Sequence, residues 1–200
     1  MSRLLCLLVA ALLMLPAWAG EVFEHPATPA QAQAVVNAAM SDLAQVQVLR
    51  GRYTQRKFLR EIPRPLGSSG EFLLVRGQGI WWHTQVPMES ELLLNRSKGQ
   101  PPGLQMAAST FFALFALDLD TLAQSFELFA MQDGARWLLG LRPRDPALAA
   151  WFEQITLSGA TQLQQLTLLE KTGDRTEIDL DAVAQPLSSL TPLERKRFEP

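Results

Sequence analysis

Cysteine and histidine are nearly absent from this sequence. The one cysteine, Cys6, lies near the amino terminus, and the two histidines, His25 and His83, are far apart. A chain so poor in thiols and imidazoles offers neither a disulfide framework nor a cluster with zinc-site spacing. A Gly-x-Ser-x-Gly elbow is also missing, and we interpret Gly67-Ser68-Ser69-Gly70 as a turn. We therefore predict no metal, no cofactor and no enzymatic activity.

The sequence also lacks an excess of basic residues and an apolar run long enough to span a bilayer. Its 18 basic and 20 acidic residues give a formal net charge of −2, whereas nucleic-acid-binding domains carry a basic face. The longest apolar run, 4–15, is shorter than the roughly twenty residues that a membrane-spanning helix needs. Nucleic acid is therefore not an expected partner.

The amino terminus has the pattern of a secretory signal peptide. Arg3 precedes the apolar run, Pro16 ends it, and Ala17-Trp18-Ala19 places small residues where signal peptidase cuts. We predict cleavage after Ala19, so that Cys6 is removed and residues 20–200 form a single exported, periplasmic domain.

The first part of this domain has a helical pattern that changes to a strand pattern. Apolar residues recur at helical spacing from about 28 to 47, among them Ala32, Val36 and Leu43. From Val48 the period becomes two. The predicted strands are 48–56, 71–76, 80–86 and 91–95, with a hairpin at 77–79 and a loop at 97–103.

The second part repeats this order, with a helix followed by strands. Ser109 is expected to open a strongly apolar helix over 110–117, and Asp118 and Asp120 to act as capping residues. Strands are predicted at 126–131, 136–141, 155–157, 163–171 and 176–180, with a short helix within 143–152. The linkers are too short for helical crossovers, so antiparallel meander connections are expected.

Two of the strands are apolar on both faces. Residues 71–76 and 80–82 do not alternate as an exposed sheet would. Either both faces pack within the protein, or the sheet is curved and its concave face lines an apolar ligand pocket. Composition does not separate these alternatives. Trp81 and Trp82 must point to opposite faces, and Trp82 is assigned to the concave side.

Several motifs, in this order, resemble the LolA family of outer-membrane lipoprotein carriers. They are Tyr53-Thr54-Gln55, then Gly70-Glu71-Phe72-Leu73-Leu74-Val75-Arg76, then Gly79-Ile80-Trp81-Trp82 leading to Pro87, then Trp137-Leu138-Leu139-Gly140-Leu141, Ile155-Thr156-Leu157 and Leu166-Thr167-Leu168-Leu169-Glu170. Gly77 stands where the family pattern has proline after the arginine. The family's Gly-x-x-Leu-Trp-x-Tyr strand after the Pro87 equivalent is replaced by 95–103.

The resemblance implies a mainly β fold of the α+β class. It is an incomplete antiparallel β-barrel with an N-terminal helix and a mid-chain helical lid over an apolar cavity. By matching position, Arg76 would help to hold the lid shut. The implied ligand-contacting residues are Phe72, Leu74, Ile80 and Trp82 on the strands and Phe111, Phe112, Leu114 and Phe115 on the lid.

The expected function is that of a monomeric carrier. The resemblance implies that it takes the acyl chains of a lipoprotein or another lipid from an inner-membrane exporter to an outer-membrane acceptor. The alternative is a periplasmic lipid-sensing or protein-interaction module built on the same fold.

Overall fold

The structure is a computed structural model that describes residues 21–39, 47–95 and 102–198. The predicted signal peptide, the end of the predicted first helix and most of the predicted 97–103 loop lie outside these ranges. In the described part, none of the helices combines the length and the hydropathy that crossing a bilayer would require.

Nine antiparallel strands form one sheet. In spatial order the strands are β4-β3-β2-β1-β9-β8-β7-β6-β5, so the first strand pairs with the last and the sheet remains open between β4 and β5. Their bounds are β1 Val48–Phe58, β2 Leu66–Val75, β3 Gly79–Val86, β4 Ser90–Asn95, β5 Phe126–Asp133, β6 Arg136–Pro143, β7 Phe152–Gly159, β8 Leu163–Glu170 and β9 Arg175–Gln185. The predicted half-barrel architecture is thus confirmed.

Five α-helices accompany the sheet in the described ranges. They are α1 Pro29–Ala39, α2 Pro102–Ala116, α3 Leu119–Ser125, α4 Pro146–Ala149 and α5 Pro192–Phe198, with 3-10 turns at Val22–Glu24 and Leu187–Ser189. The link from β4 to β5 passes through α2 and α3, so these helices lie between the two open edges of the sheet. Asp118 caps α3 by accepting from the Thr121 N–H at 3.1 Å, as predicted.

The helices α1, α2 and α3 fill the concave face, while residues 22–23 and residues 190–198 cover parts of the convex face. The main core joins Val36, Phe115 and Leu122 of the helices to the inward residues of the strands. On the other face, Leu190 and Phe198 pack on Leu73 and Val75 of β2. Since Phe72 and Leu74 face the helices, the apolar pattern of β2 on both faces is explained by a two-sided core.

Several element boundaries differ from the sequence prediction, since β7 and β9 extend beyond 155–157 and 176–180. Two further differences change how a segment is interpreted. The predicted turn at 67–70 is wrong, because β2 begins at Leu66 and pairs along its length with β1. The lid helix begins at Pro102 rather than at Thr110, so Ser109 lies within it. In both cases residues with weak local preference follow the pairing or the helix around them.

Candidate functional site

Five aromatic side chains meet on the concave face. Tyr53, Phe72 and Trp82 point inward from β1, β2 and β3, because alternate residues of a strand share a face. Phe111 and Phe115, four residues apart in α2, lie one turn apart on the helix side facing them. The ring centroid of Trp82 lies 3.9 Å from that of Tyr53 and 5.7 Å from that of Phe72. It lies 6.0 Å from Phe111 and 5.9 Å from Phe115.

All eight residues predicted to contact a ligand lie in or against this one core. Trp82 and Phe111 are half-buried, and the other six are buried: Phe72, Leu74, Ile80, Phe112, Leu114 and Phe115. The structure therefore brings the predicted set together. The side chains of α2 occupy the space directly above Trp82, and the contact of these residues with a ligand stays a prediction.

Tyr53 is a member of the site that the predicted set omitted. Its side chain is buried, and its hydroxyl forms a hydrogen bond with the Thr84 hydroxyl at 2.6 Å. A buried tyrosine hydroxyl needs such a partner. The signal was present in the sequence, because the chain's only tyrosine stands at an inward position of a strand with period two.

Open space lies beside the aromatic cluster, as a cleft of about 540 Å³. Leu74, Phe112 and Leu119 give it an apolar floor, and its walls come from α1, the β2–β3 turn and the junction of α2 with α3. Polar side chains of Gln33, Asn37, Ser109 and Thr121 line it as well. The cleft is thus amphipathic, with its apolar part continuous with the concave core.

Arg76 stands at the edge of this cleft and reaches the end of the lid helix. Its guanidinium Nη2 lies 3.5 Å from the carbonyl oxygen of Ala116, the last residue of α2. The next residue, Leu117, has φ 50°, in the left-handed region that branched side chains rarely adopt. Its side chain is nevertheless buried. The predicted arginine and the lid are therefore in contact next to a strained turn.

His83 and Trp81 point to the convex face, away from the cluster. The His83 Nε2 atom lies 3.1 Å from a Glu89 carboxylate oxygen, and its ring stacks on Trp81 at 5.2 Å. Within residues 21–39, 47–95 and 102–198, His, Cys, Asp and Glu side chains form no group of three or more with metal-binding geometry. The aromatic cluster on the concave face therefore consists of apolar and hydrogen-bonding side chains, without His83.

No family model and no curated protein matches the sequence. Solved structures that match include the Pseudomonas aeruginosa MucA/MucB complex, at 11% identity and a TM-score of 0.42, over 82% of this chain and 62% of that one. This chain thus spans about three fifths of the length of that neighbour. A putative outer membrane lipoprotein-sorting protein domain from Vibrio parahaemolyticus has 10% identity and a TM-score of 0.35, over 83% and 96% of the two chains.

A LolA superfamily protein from Nitrosomonas europaea also matches, with 10% identity and a TM-score of 0.35, over 84% of this chain and 97% of that one. These neighbours include the superfamily that the sequence motifs resemble. At this identity and TM-score the likeness assigns neither a ligand nor a role to this chain.

Proposed function

We propose that this protein is an exported, monomeric carrier of acyl chains in the periplasm. It binds the chains of a lipoprotein or of another lipid on the concave face, between the sheet and α2. It carries them from an exporter at the inner membrane to an acceptor at the outer membrane. These two partners are inferred from the family that the motifs resemble, and no chemical step is needed for the task.

The observation that carries this proposal is the aromatic contact between α2 and the sheet. Trp82 and Phe111 are half-buried, whereas the neighbouring rings of Phe72 and Phe115 are buried. When a ligand chain enters and α2 moves away, the rings on the sheet exchange their contact with α2 for contact with the ligand. Little apolar surface of the protein therefore becomes exposed to water. The adjacent cleft offers a place for the polar end of such a ligand.

The energies are compatible with both uptake and release. Burial of a fifteen-methylene chain stabilises the complex by about 12 kcal/mol, at about 0.8 kcal/mol per methylene. Each lost aromatic contact costs about 0.5–1.5 kcal/mol. The release of Phe111 and Phe115 from Trp82 therefore opposes binding by a few kcal/mol, which keeps the affinity low enough for delivery.

Arg76 is proposed to set the cost of opening. Its contact with the Ala116 carbonyl holds the carboxyl end of α2, where the helix dipole also favours a cation. The left-handed Leu117 stores backbone strain at the same point. We propose that α2 pivots there when a chain enters.

A second function, lipid sensing or protein binding without transport, is favoured by one observation. Phe115 packs on Phe72 and Trp82, and Phe111 packs on Trp82, so this part of the concave face is filled without any ligand. In that case α2 would stay in place, and the outer surfaces would bind the partner.

Purification from the native host separates the two functions. The carrier function predicts that solvent extraction of the purified protein, followed by mass spectrometry, yields a lipid with acyl chains, and that the loaded protein passes this lipid to acceptor vesicles. An extract free of lipid, combined with no uptake of a fluorescent fatty-acid probe, would reject the carrier and leave the interaction module.

A further inference from the structure

One end of the half-barrel carries a concentration of exposed apolar side chains. Four segments meet there, residues 59–66, 86–89, 144–151 and 171–174, which we call the loop rim. It holds five of the exposed large apolar residues: Ile62, Leu66, Val86, Met88 and Trp151. Met88 is 79% exposed and Trp151 is 72% exposed. Isolated exposed apolar residues are ordinary, but a set gathered at one end marks an interaction surface.

The strand register places these segments side by side. Lys57 at the end of β1 pairs with Leu66, Phe58 pairs with Arg175, and Phe152 pairs with Glu170. Hydrogen bonds then tie the segments 59–66, 144–151 and 171–174 to one another. The Lys171 N–H donates to the Trp151 carbonyl at 2.9 Å, and the Arg60 N–H donates to the Asp174 carboxylate at 3.0 Å.

Trp151 is held in its exposed position by the buried residues next to it. Leu148 of α4 is buried in the main core, and the Trp151 N–H donates to its carbonyl at 3.0 Å. The Asp145 carboxylate caps the same helix. Trp151 is thus held outward by a packed turn rather than left there by a loose one.

The loop rim holds four basic and four acidic residues, but more of the basic than of the acidic side chains are left without a partner. Arg64, Arg144 and Lys171 are exposed, and their side chains have no hydrogen bond or ion pair with any residue in the described ranges. The carboxylates of Asp145 and Asp174 are occupied by backbone N–H groups, and that of Glu89 lies against His83. Glu61 is the exception, an exposed acid without such a partner. The cations are therefore free to meet phosphate groups.

We infer that the loop rim docks on the surface of a phospholipid bilayer. Three of its apolar groups, Ile62, Met88 and Trp151, stand on separate loops, and Leu66 and Val86 lie at strand ends. Such a spread of apolar groups suits a deformable lipid surface better than a folded protein. Tryptophan favours the level of the lipid headgroups, and nearby cations add attraction to lipid phosphates. This inference rests on the proposed function, because docking would bring the carrier to the membranes between which it carries its ligand.

Vesicle sedimentation tests the inference directly. The purified protein is expected to sediment with vesicles of phosphatidylethanolamine and phosphatidylglycerol. The double variant Met88→Ser/Trp151→Ser is expected to bind at least about tenfold more weakly, because two large apolar side chains no longer enter the interface. The matched control is Val183→Ser/Leu193→Ser, which removes side chains that are 59% and 66% exposed outside the loop rim.

The charges are tested in the same experiment. Arg64→Gln/Lys171→Gln is expected to weaken binding to these vesicles by about fivefold per charge, and less at high salt. Vesicles of phosphatidylcholine alone should bind the unaltered protein more weakly. Thermal melting of each variant shows whether the fold is intact, and exposed positions are expected to change it little.

Three results would overturn docking on lipid. The unaltered protein could fail to sediment with any vesicle, the control could lose binding as much as the rim variant does, or binding could require vesicles that contain host membrane proteins. The last result would assign the rim to a protein. Uptake of a fatty-acid probe in vesicle-free solution is measured in parallel. If uptake fails while vesicle binding is intact, the carrier function is rejected and docking is retained. If vesicle binding fails while uptake is intact, docking is rejected and the carrier function is retained.

Discussion

Trp81 and Trp82 are consecutive residues of β3, yet their rings lie in different environments on opposite faces of the sheet. Trp82 contacts Tyr53 in the concave cluster, with 3.9 Å between the ring centroids. Trp81 packs against the C-terminal cluster on the convex face, where the Arg197 guanidinium lies 4.0 Å from its ring centroid. Substitution of each residue in turn therefore tests the proposed ligand contact separately from support of the fold.

We predict that Trp82→Leu weakens binding of a fatty-acid probe by about tenfold, because the chain loses the largest ring on its path. Trp81→Leu should leave probe binding unchanged. Both variants should lower the free energy of unfolding by about 1–3 kcal/mol, since each removes a partly buried ring. Fluorescence titration and urea unfolding measure the two quantities. Equal losses of affinity in both variants would contradict the assignment of faces to functions.

Arg76→Leu is predicted to release a bound probe a few times faster than the unaltered protein, because α2 loses the contact at Ala116. The effect is modest, since Arg76 is exposed to solvent and the contact is screened. Arg52→Leu is the control, an exposed arginine on the convex face whose side chain has no partner in the described ranges. Stopped-flow release rates decide the question, and identical rates for all three proteins would remove the gating role of Arg76.

Glu194 gives a prediction for the dependence of stability on pH. Burial acts to raise the pKa of Glu194, but hydrogen bonds from the Thr191 N–H and hydroxyl and from Arg50 outweigh it and hold the pKa below its usual range. A lowered pKa in the folded state means that the carboxylate stabilises the fold above the ordinary carboxyl pKa of about 4.3. That stabilisation is lost as the pH falls through the lower folded value.

Glu194→Gln is therefore expected to cost about 1 kcal/mol at pH 7, because glutamine can still accept from the Thr191 N–H but loses the charge-assisted hydrogen bonds with Arg50. The difference from the unaltered protein should shrink as the pH falls below about 4.3. Glu153→Gln, at an exposed carboxylate without a partner in the described ranges, should show neither effect. Urea unfolding at several pH values provides the measurement. A difference that stays constant down to pH 3 would refute the linkage.

Two glycines of β2 are predicted to respond in opposite ways to alanine. A Cβ atom on Gly70 would lie 1.9 Å from the backbone oxygen of His83, so Gly70→Ala should destabilise the fold by about 2–3 kcal/mol. A Cβ atom on Gly67 would meet nothing within 4 Å, so Gly67→Ala should be neutral or stabilise by about 0.5 kcal/mol. Thermal melting compares them. Similar melting temperatures would show that β3 can move away from Gly70.

The same glycines show why part of the fold was readable from the sequence and part was not. Strand existence followed from the period of two, and the hairpin at 77–79 from its glycines. Gly67 and Gly70 also look like turn residues in isolation. Gly70 is needed instead for close approach of β3, opposite Tyr53 on β1. Only the pairing of three strands, which local sequence does not encode, reveals that role.

Phe72, Trp82, Phe111 and Phe115 were selected by matching position to the family that the motifs resemble, not by their spacing. The structure brings these four residues together, while their contact with a ligand stays a prediction. A two-sided core was one of the two alternatives for β2, but the residues of its second layer were not identified, because Leu190 and Phe198 lie in a charged tail more than a hundred residues away in sequence. The exposed tips of the loop rim gave no signal either, since exposure is a property of the assembled fold.

The pairing of β1 with β9 has a consequence for when the sheet is completed. Strand β9 is synthesised after every other strand, yet it occupies the middle of the sheet, with β1 and β8 on its two sides. Until it arrives, the chain consists of two separate meanders, each with an unsatisfied edge where the other should join. Long-range closure of this kind is slow. The single continuous sheet can therefore be completed only after the β9 segment has been made, so the two meanders must wait for the last strand before they join.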